Sequence, residues 1–306
     1  MELAVGTLLN RRNELGQGPW GVGWEGWVRQ DYRVLSKGPL DGSWDLAALR
    51  ESYLDGGFEG LNLRFMSPPP FPSLDFLADY DDLRYLEINT GRLNGDLPAF
   101  RLPALEELIL LTRSSRAIPG FASPALVRLG FDDRPGKELI AGLDRLRDLL
   151  IWRWRGPDLG FLGDKPPPLR ALRLDGTGRQ EVSLAGIENC ANLAELQVGE
   201  SRVCSLAPLA GLQDLQELRI LPRYRAAGES VLDLDDLLGL KNLRQLHLIY
   251  VGAVRSLRPL LQMPALRDLC LGPVDVADGD LSPLYDLPDS VEFGGQLSDR
   301  VSRHRE

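Results

Sequence analysis

One short frame returns along most of this chain. L-x-x-L-x-L stands at "LRYLEI" from residue 83, "LEELIL" from 105, "LVRLGF" from 126, "LRDLLI" from 146 and "LRALRL" from 169. It continues at "LAELQV" from 193, "LQELRI" from 215, "LRQLHL" from 243 and "LRDLCL" from 266, with degenerate copies "FEGLNL" from 58 and "PDSVEF" from 288. These eleven starts between 58 and 288 have a mean spacing of 23 residues. With 43% of residues apolar, three set positions would all be apolar by chance about 8% of the time. The series is therefore a repeat. A segment this short cannot bury its own leucines, so the copies must stack, each covering the next.

At these residues the chain resembles the leucine-rich-repeat family, and "NLAELQVGESRVCSLAPLAGLQDLQEL" looks most like a bacterial type of about 22 residues, with "SLAPLAGL" as its return segment. The resemblance covers residues 51–295. It implies an α/β solenoid, a horseshoe with a parallel β-sheet on the concave face and short helices or turns on the convex one. Residues 1–50 then form an N-terminal cap and 296–306 a polar tail. Within the cap, 24–35 reads as strand, and 43–52 as a helix with Ser43 at its N-cap. The family's usual asparagine, three residues after the last leucine, is missing. Gly91, Arg113, Arg134, Trp154, Thr177, Ser201, Arg223, Val251 and Val274 stand there instead, so the bends need other hydrogen bonds.

Side chains alternate along a strand, and this assigns faces within each frame. The leucines point to the core. One outward column reads Asn62, Glu87, Ile109, Gly130, Leu150, Arg173, Gln197, Arg219, His247, Cys270, Glu292. Beside it run Arg64, Asn89, Leu111, Asp132, Trp152, Asp175, Gly199, Leu221, Ile249, Gly272, Gly294. In "LLIWRWRG" (149–156), Leu149 and Ile151 belong to the core, while Leu150 and Trp152 join Ile109 and Leu111 outside. Glu107, Asp132, Asp148 and Asp175 ring them. Apolar anchors with a charged rim are the anatomy of a protein interface. A smaller candidate is Leu221, Ile249 and Tyr250, and Arg173 completes the set of candidate contact residues. Two other readings of the larger patch stay open: cover by the N-terminal arm, or a one-residue register slip that exchanges the faces.

The function expected is therefore non-catalytic binding of a protein partner with a basic rim, with the oligomeric state left open. A cognate inhibitor of a basic toxin or enzyme is the alternative. The net charge of −9 argues against a nucleic-acid partner. No apolar run reaches the length of a membrane helix, and "MELAVGTLLNRRNELG" has the wrong order for an export signal, so the expected compartment is the cytoplasm. Cysteine-rich end caps, common in extracellular members of such a family, are absent from the three scattered cysteines Cys190, Cys204 and Cys270. Arginine outnumbers lysine 31 to 4, which reads as GC-rich, bacterial coding.

Catalysis finds little support. Overlapping G-x-G-x-x-G matches at 16–26 lack the preceding strand and following helix that a dinucleotide site needs. His247, Cys270 and Glu292 fall in one outward column, which raises a Cys–His enzyme as a minor alternative. An open sheet face offers it neither an oxyanion hole nor a water-excluding pocket. No metal or other cofactor is expected. The proline-rich "SPPPFP" (67–72) and "DKPPPL" (164–169) read as stiff connectors, and "LPRYRAAGES" (221–230) as an elaborated loop.

Overall fold

In a computed structural model, residues 32–40, 45–65, 71–178, 181–222 and 231–295 are described. They fall into two compact units divided between Leu139 and Ile140. The expected strand over 24–35 lies largely outside the described residues, as do Ser43, Arg223 and the tail beyond 295.

In the first unit, β1 (Val34–Leu40), β2 (Gly60–Phe65), β3 (Tyr85–Asn89), β4 (Glu107–Leu111) and β5 (Arg128–Asp132) pair in that order, all parallel. Between β1 and β2 lies α1 (Leu46–Asp55). Its N-cap is Asp45, whose carboxylate accepts from the amides of Ala47 and Ala48 at 2.9 and 3.1 Å. In the second unit the same parallel order runs through β6 (Asp148–Trp152), β7 (Ala171–Asp175), β8 (Glu195–Gly199) and β9 (Glu217–Leu221). It continues through β10 (Gln245–Leu248), β11 (Asp268–Leu271) and β12 (Glu292–Gly295).

Each of the eleven frames thus yields a strand, and the fold is a leucine-rich-repeat solenoid. Equivalent leucines meet in register: Leu149 against Leu172, Leu172 against Leu196, Leu218 against Leu246 and Leu246 against Leu269. All are buried, and each contributes about 1.5–3 kcal/mol by leaving water. The return segments tighten into short 3-10 turns such as Ala207–Leu209, Arg258–Gln262 and Ser282–Leu284. Each carries a proline in its first turn, where no amide partner is missed.

The frame needs one correction. Cys270 pairs with Gly294, and Asp268 with Glu292, so the last copy begins two residues later than "PDSVEF" suggests. His247, Cys270 and Glu292 therefore do not share a column. The degenerate copy has too few leucines to fix its own phase, and pairing with β11 sets it.

The bends without asparagine are filled by unrelated chemistries. Arg134 and Asp96 form an ion pair at 2.8 Å with both side chains 0% exposed. Thr112 donates to the same Asp96 oxygen at 2.5 Å, and Arg134 donates to Thr112 at 3.3 Å and to the Asp132 carbonyl at 3.4 Å. Its guanidinium lies 5.5 Å from the centroid of the Phe100 ring. In the second unit Trp154 fills the slot, buried 5.2 Å from Phe161, with its backbone amide donating to the Asp175 carbonyl at 2.9 Å. Several bends also turn through left-handed residues that are not glycine: Arg113 (φ 49°), Arg153 (φ 53°), Glu200 (φ 52°) and Tyr250 (φ 60°). Asparagine tolerates that region better than they do.

The buried pair sets a stability prediction. Asp96→Ala strands the Arg134 charge away from water and lowers unfolding stability by about 3–5 kcal/mol, whereas Asp96→Leu combined with Arg134→Met costs much less. Urea denaturation of the two variants checks the order.

Candidate functional site: the outer sheet face

The register places every strand's outward residues opposite its leucines, as alternation requires. Leu150 pairs with Arg173 and Trp152 with Asp175, while Leu149 and Ile151 pair with Leu172 and Leu174. No one-residue slip occurs. Exposure departs from expectation. Leu150 is only 3% exposed, although it faces away from the leucine core. It does not present its side chain to solvent, and Trp152 is half-buried. The four expected anchors also fall in different units, so they are taken separately.

In the first unit, Ile109 and Leu111 lie on the outer face of β4, both half-buried, with Glu87 and Gly130 paired to Ile109 and Asn89 paired to Leu111. Around them the polar residues bond to one another. Glu87 accepts from the Tyr85 hydroxyl at 2.6 Å and from Asn62 at 3.3 Å. Glu107 takes Arg128 at 2.8 Å, with side-chain exposures of 2% and 7%. The Tyr32 hydroxyl donates to Glu106 at 3.1 Å, and its ring packs 5.7 Å from Tyr85. Asp132 is buried and accepts from the backbone amide of the left-handed Arg113 at 2.6 Å. Two carboxylates expected at a solvated rim, Glu107 and Asp132, are thus consumed inside the unit. The overlooked partners, Tyr85 and Arg128, occupy the third frame position, an outward column whose opposite charges were readable in the sequence.

In the second unit the face changes character along the strands. Arg173 pairs with Asp175 at 3.1 Å, and the Gln197 amide, oriented with its oxygen toward Arg173, accepts at 3.0 Å. Burial raises the Asp175 carboxyl above its ordinary value, and Arg173 opposes that rise. From β9 onward the side chains are more open. Glu217 meets Arg219 at 2.9 Å, Arg219 bonds Gln245, Gln245 bonds Asp268, and His247 Nε2 lies 3.0 Å from the same Asp268 oxygen. Leu221 and Ile249 are half-buried beside this network, and Tyr250 is 37% exposed. Gly272 lies hard against Ile249: a β-carbon there would sit 2.7 Å from its Cγ2. Only glycine at that point leaves room for the Ile249 side chain, which packs against its backbone.

These contacts bear on catalysis. His247 and Cys270 do sit opposite each other in register, but the imidazole is engaged by Asp268. Burial, reinforced by the Asp268 charge, raises the Cys270 thiol above its ordinary value. Burial and that nearby negative charge both disfavour a thiolate. Among the described residues no cluster of His, Cys, Asp or Glu could hold a metal ion, and no helix is long and apolar enough to cross a membrane.

No protein-family model matches the chain, and no curated protein matches it in sequence. Among solved structures that resemble it is an internalin, InlF, of Listeria monocytogenes. It is 16% identical, with 79% of this chain and 81% of that chain covered and a TM-score of 0.49. Internalin C2 of the same organism is 17% identical over 71% of this chain and 72% of its own, with a TM-score of 0.30. At such values the fold rests on the strand ladder itself.

The cysteines offer a direct check of the electrostatics. Near neutral pH, iodoacetamide alkylates the exposed Cys204 first, Cys270 more slowly, and Cys190 last, since Cys190 is buried and its thiol is pushed up to about 11. Mass spectrometry of a labelling time course reads the order, and Cys270 reacting fastest would restore a nucleophile.

Proposed function

We propose that this chain is a non-catalytic protein-recognition module whose contact surface is the outer face of the later strands of the second unit. The observation that carries the reading is Tyr250. A bulky residue at φ 60° stores backbone strain, yet its side chain is left in solvent beside Leu221 and Ile249. A ring held there at a cost to stability is well suited to anchor a partner, and tyrosine is enriched among the energetic centres of interfaces. Arg173, Asp175 and Trp152 extend the surface toward β6. Ile109 and Leu111 form a lesser candidate within the first unit. Leu150 and Asp132 are buried and are left out of the contact set. The partner's rim is basic, matching Glu217, Asp268 and Glu292. Neither a cofactor, a nucleic acid nor a membrane enters this reading, and a bacterial cytoplasm is the setting that suits it.

The outward row of Glu195, Glu217, Asp268 and Glu292, on strands in register, favours a second reading: inhibition of a basic toxin or enzyme. Rigid acidic surfaces capture such partners by fast, salt-sensitive association.

Tyr250→Gly separates binding from folding. Glycine relieves the left-handed strain, so the melting temperature holds or rises, while loss of the ring weakens partner binding by about 2 kcal/mol. Calorimetry of the partner captured from native extract reads the affinity, and unchanged affinity refutes the surface. For the inhibitor reading, the association rate with that partner falls steeply as salt rises. A rate indifferent to salt in stopped-flow mixing leaves the apolar anchor alone.

A further inference from the structure

The second position of each frame lies at the edge where the chain enters its strand, and two charge patterns occupy it. In the first unit Glu59, Arg84 and Glu106 alternate. Arg84 bridges its neighbours, with Nη1 2.5 Å from Glu59 and Nε 2.8 Å from Glu106. In the second unit the same position holds Arg147, Arg170, Ala194, Gln216, Arg244 and Arg267. Backbone hydrogen bonds tie these six into one row. The amide of Arg170 donates to the Arg147 carbonyl at 2.7 Å. Ala194 donates to Arg170, Gln216 to Ala194, Arg244 to Gln216 and Arg267 to Arg244, each at 2.8 Å. At about 4.8 Å per step the row runs roughly 24 Å. An arginine pair stands at each end, and the inner members of the two pairs are about 14 Å apart.

All four arginines are exposed, and none is ion-paired among the described residues. Arg147 donates to the Pro168 carbonyl at 3.3 Å, and Arg267 donates to the carbonyls of Pro264 and Leu266 at 3.1 and 2.6 Å. Such bonds orient a guanidinium without neutralising it. Like charges on neighbouring strands repel, and in a chain of net charge −9 four aligned cations stand against the bulk composition. Along the first half of the row opens a concavity of about 330 Å³, lined by Arg147, Arg170, Asn192, Ala194, Asp214 and Gln216. Its two amide side chains can donate hydrogen bonds beside the guanidinium groups.

We infer that this edge docks an acidic segment of a protein partner, whose carboxylates pair with Arg147 and Arg170 at one end and with Arg244 and Arg267 at the other. Guanidinium forks match carboxylates in planar, two-point contacts. An extended peptide advances about 3.3 Å per residue, so the inner carboxylates stand about four positions apart, with roughly three uncharged residues between them. A continuous phosphate backbone fits less well. It would carry charge across Asp214 and beside the carboxylates of Glu195, Glu217 and Asp268, each one residue farther along its strand than the row. This edge uses other side chains than the outer face, so the inference stands or falls separately from the function proposed above.

Fluorescence anisotropy with a fluorescein-labelled peptide carrying two Glu-Glu pairs separated by serines tests it, against the same peptide with lysines and a single-stranded oligonucleotide. The acidic peptide binds and the lysine peptide does not. Arg170→Glu combined with Arg244→Glu lowers affinity at least about tenfold, with circular dichroism unchanged, while Arg101→Glu in the first unit leaves affinity as it was. Should the double reversal fail to fold, Arg170→Gln with Arg244→Gln removes the charges more gently and gives the same loss. Absence of binding by the acidic peptide overturns the inference, as does affinity undiminished in the variants. Binding of the oligonucleotide as tight as that of the peptide overturns the assignment to a protein segment.

Discussion

Everything in this chain depends on leucines that have no burial partner within their own repeat. A frame of three apolar residues on a five-residue strand exposes one side of its cluster on each flank, and only the preceding and following coils can cover it. The hydrophobic effect therefore acts along one direction, from strand to strand, and aligns equivalent positions. Leu172 touches Leu149 and Leu196 because each leucine is the other's cheapest cover. Once those contacts are set, the outward positions fall into rows as well, whatever residues they hold. The rows make surface chemistry possible: a charge repeated at one frame position becomes a line.

The rows have been put to different uses. In the first unit the outward polar side chains are closed on one another, with Glu87, Glu107 and Asp132 all accepting from groups of the same unit. Pairs shielded from water make a rigid layer but offer a visitor few free charges. In the second unit the pairing loosens toward β9–β11, and the side chains become more accessible as it does. Recognition needs groups that still have something to gain, and this stretch supplies them.

The strand positions were legible in the sequence because leucine periodicity is a local signal, repeated often enough to average out its errors. It fails where the copies thin out: "PDSVEF" lacks the leucines that fix phase, so the last frame reads two residues early. The expected helix cap, Ser43, stands two residues before the observed one, Asp45, since both residue types can cap and only the backbone decides. Outward direction was legible for Leu150 and Trp152. Exposure was not, because burial of a side chain on an open face depends on its lateral neighbours. The Arg128–Glu107 pair shows why: each residue alone reads as a solvated charge, and only their shared frame position on neighbouring strands shows that they meet. The substitutes for the missing asparagines were equally hidden, since nothing in the spacing says that Arg134 will find Asp96.

That last contact reaches across 38 positions of chain, farther than one coil. Repeat proteins are commonly thought to grow and shrink by copying or deleting modules, a process that presumes each module is self-sufficient apart from its immediate neighbours. Here a coil cut out between Asp96 and Arg134, or a spare one slipped in, would part a cation from the anion that pairs with it, in a place water cannot reach. The lock made by those two residues holds the number of coils in that stretch constant, and any lineage that lengthens this chain must do so elsewhere.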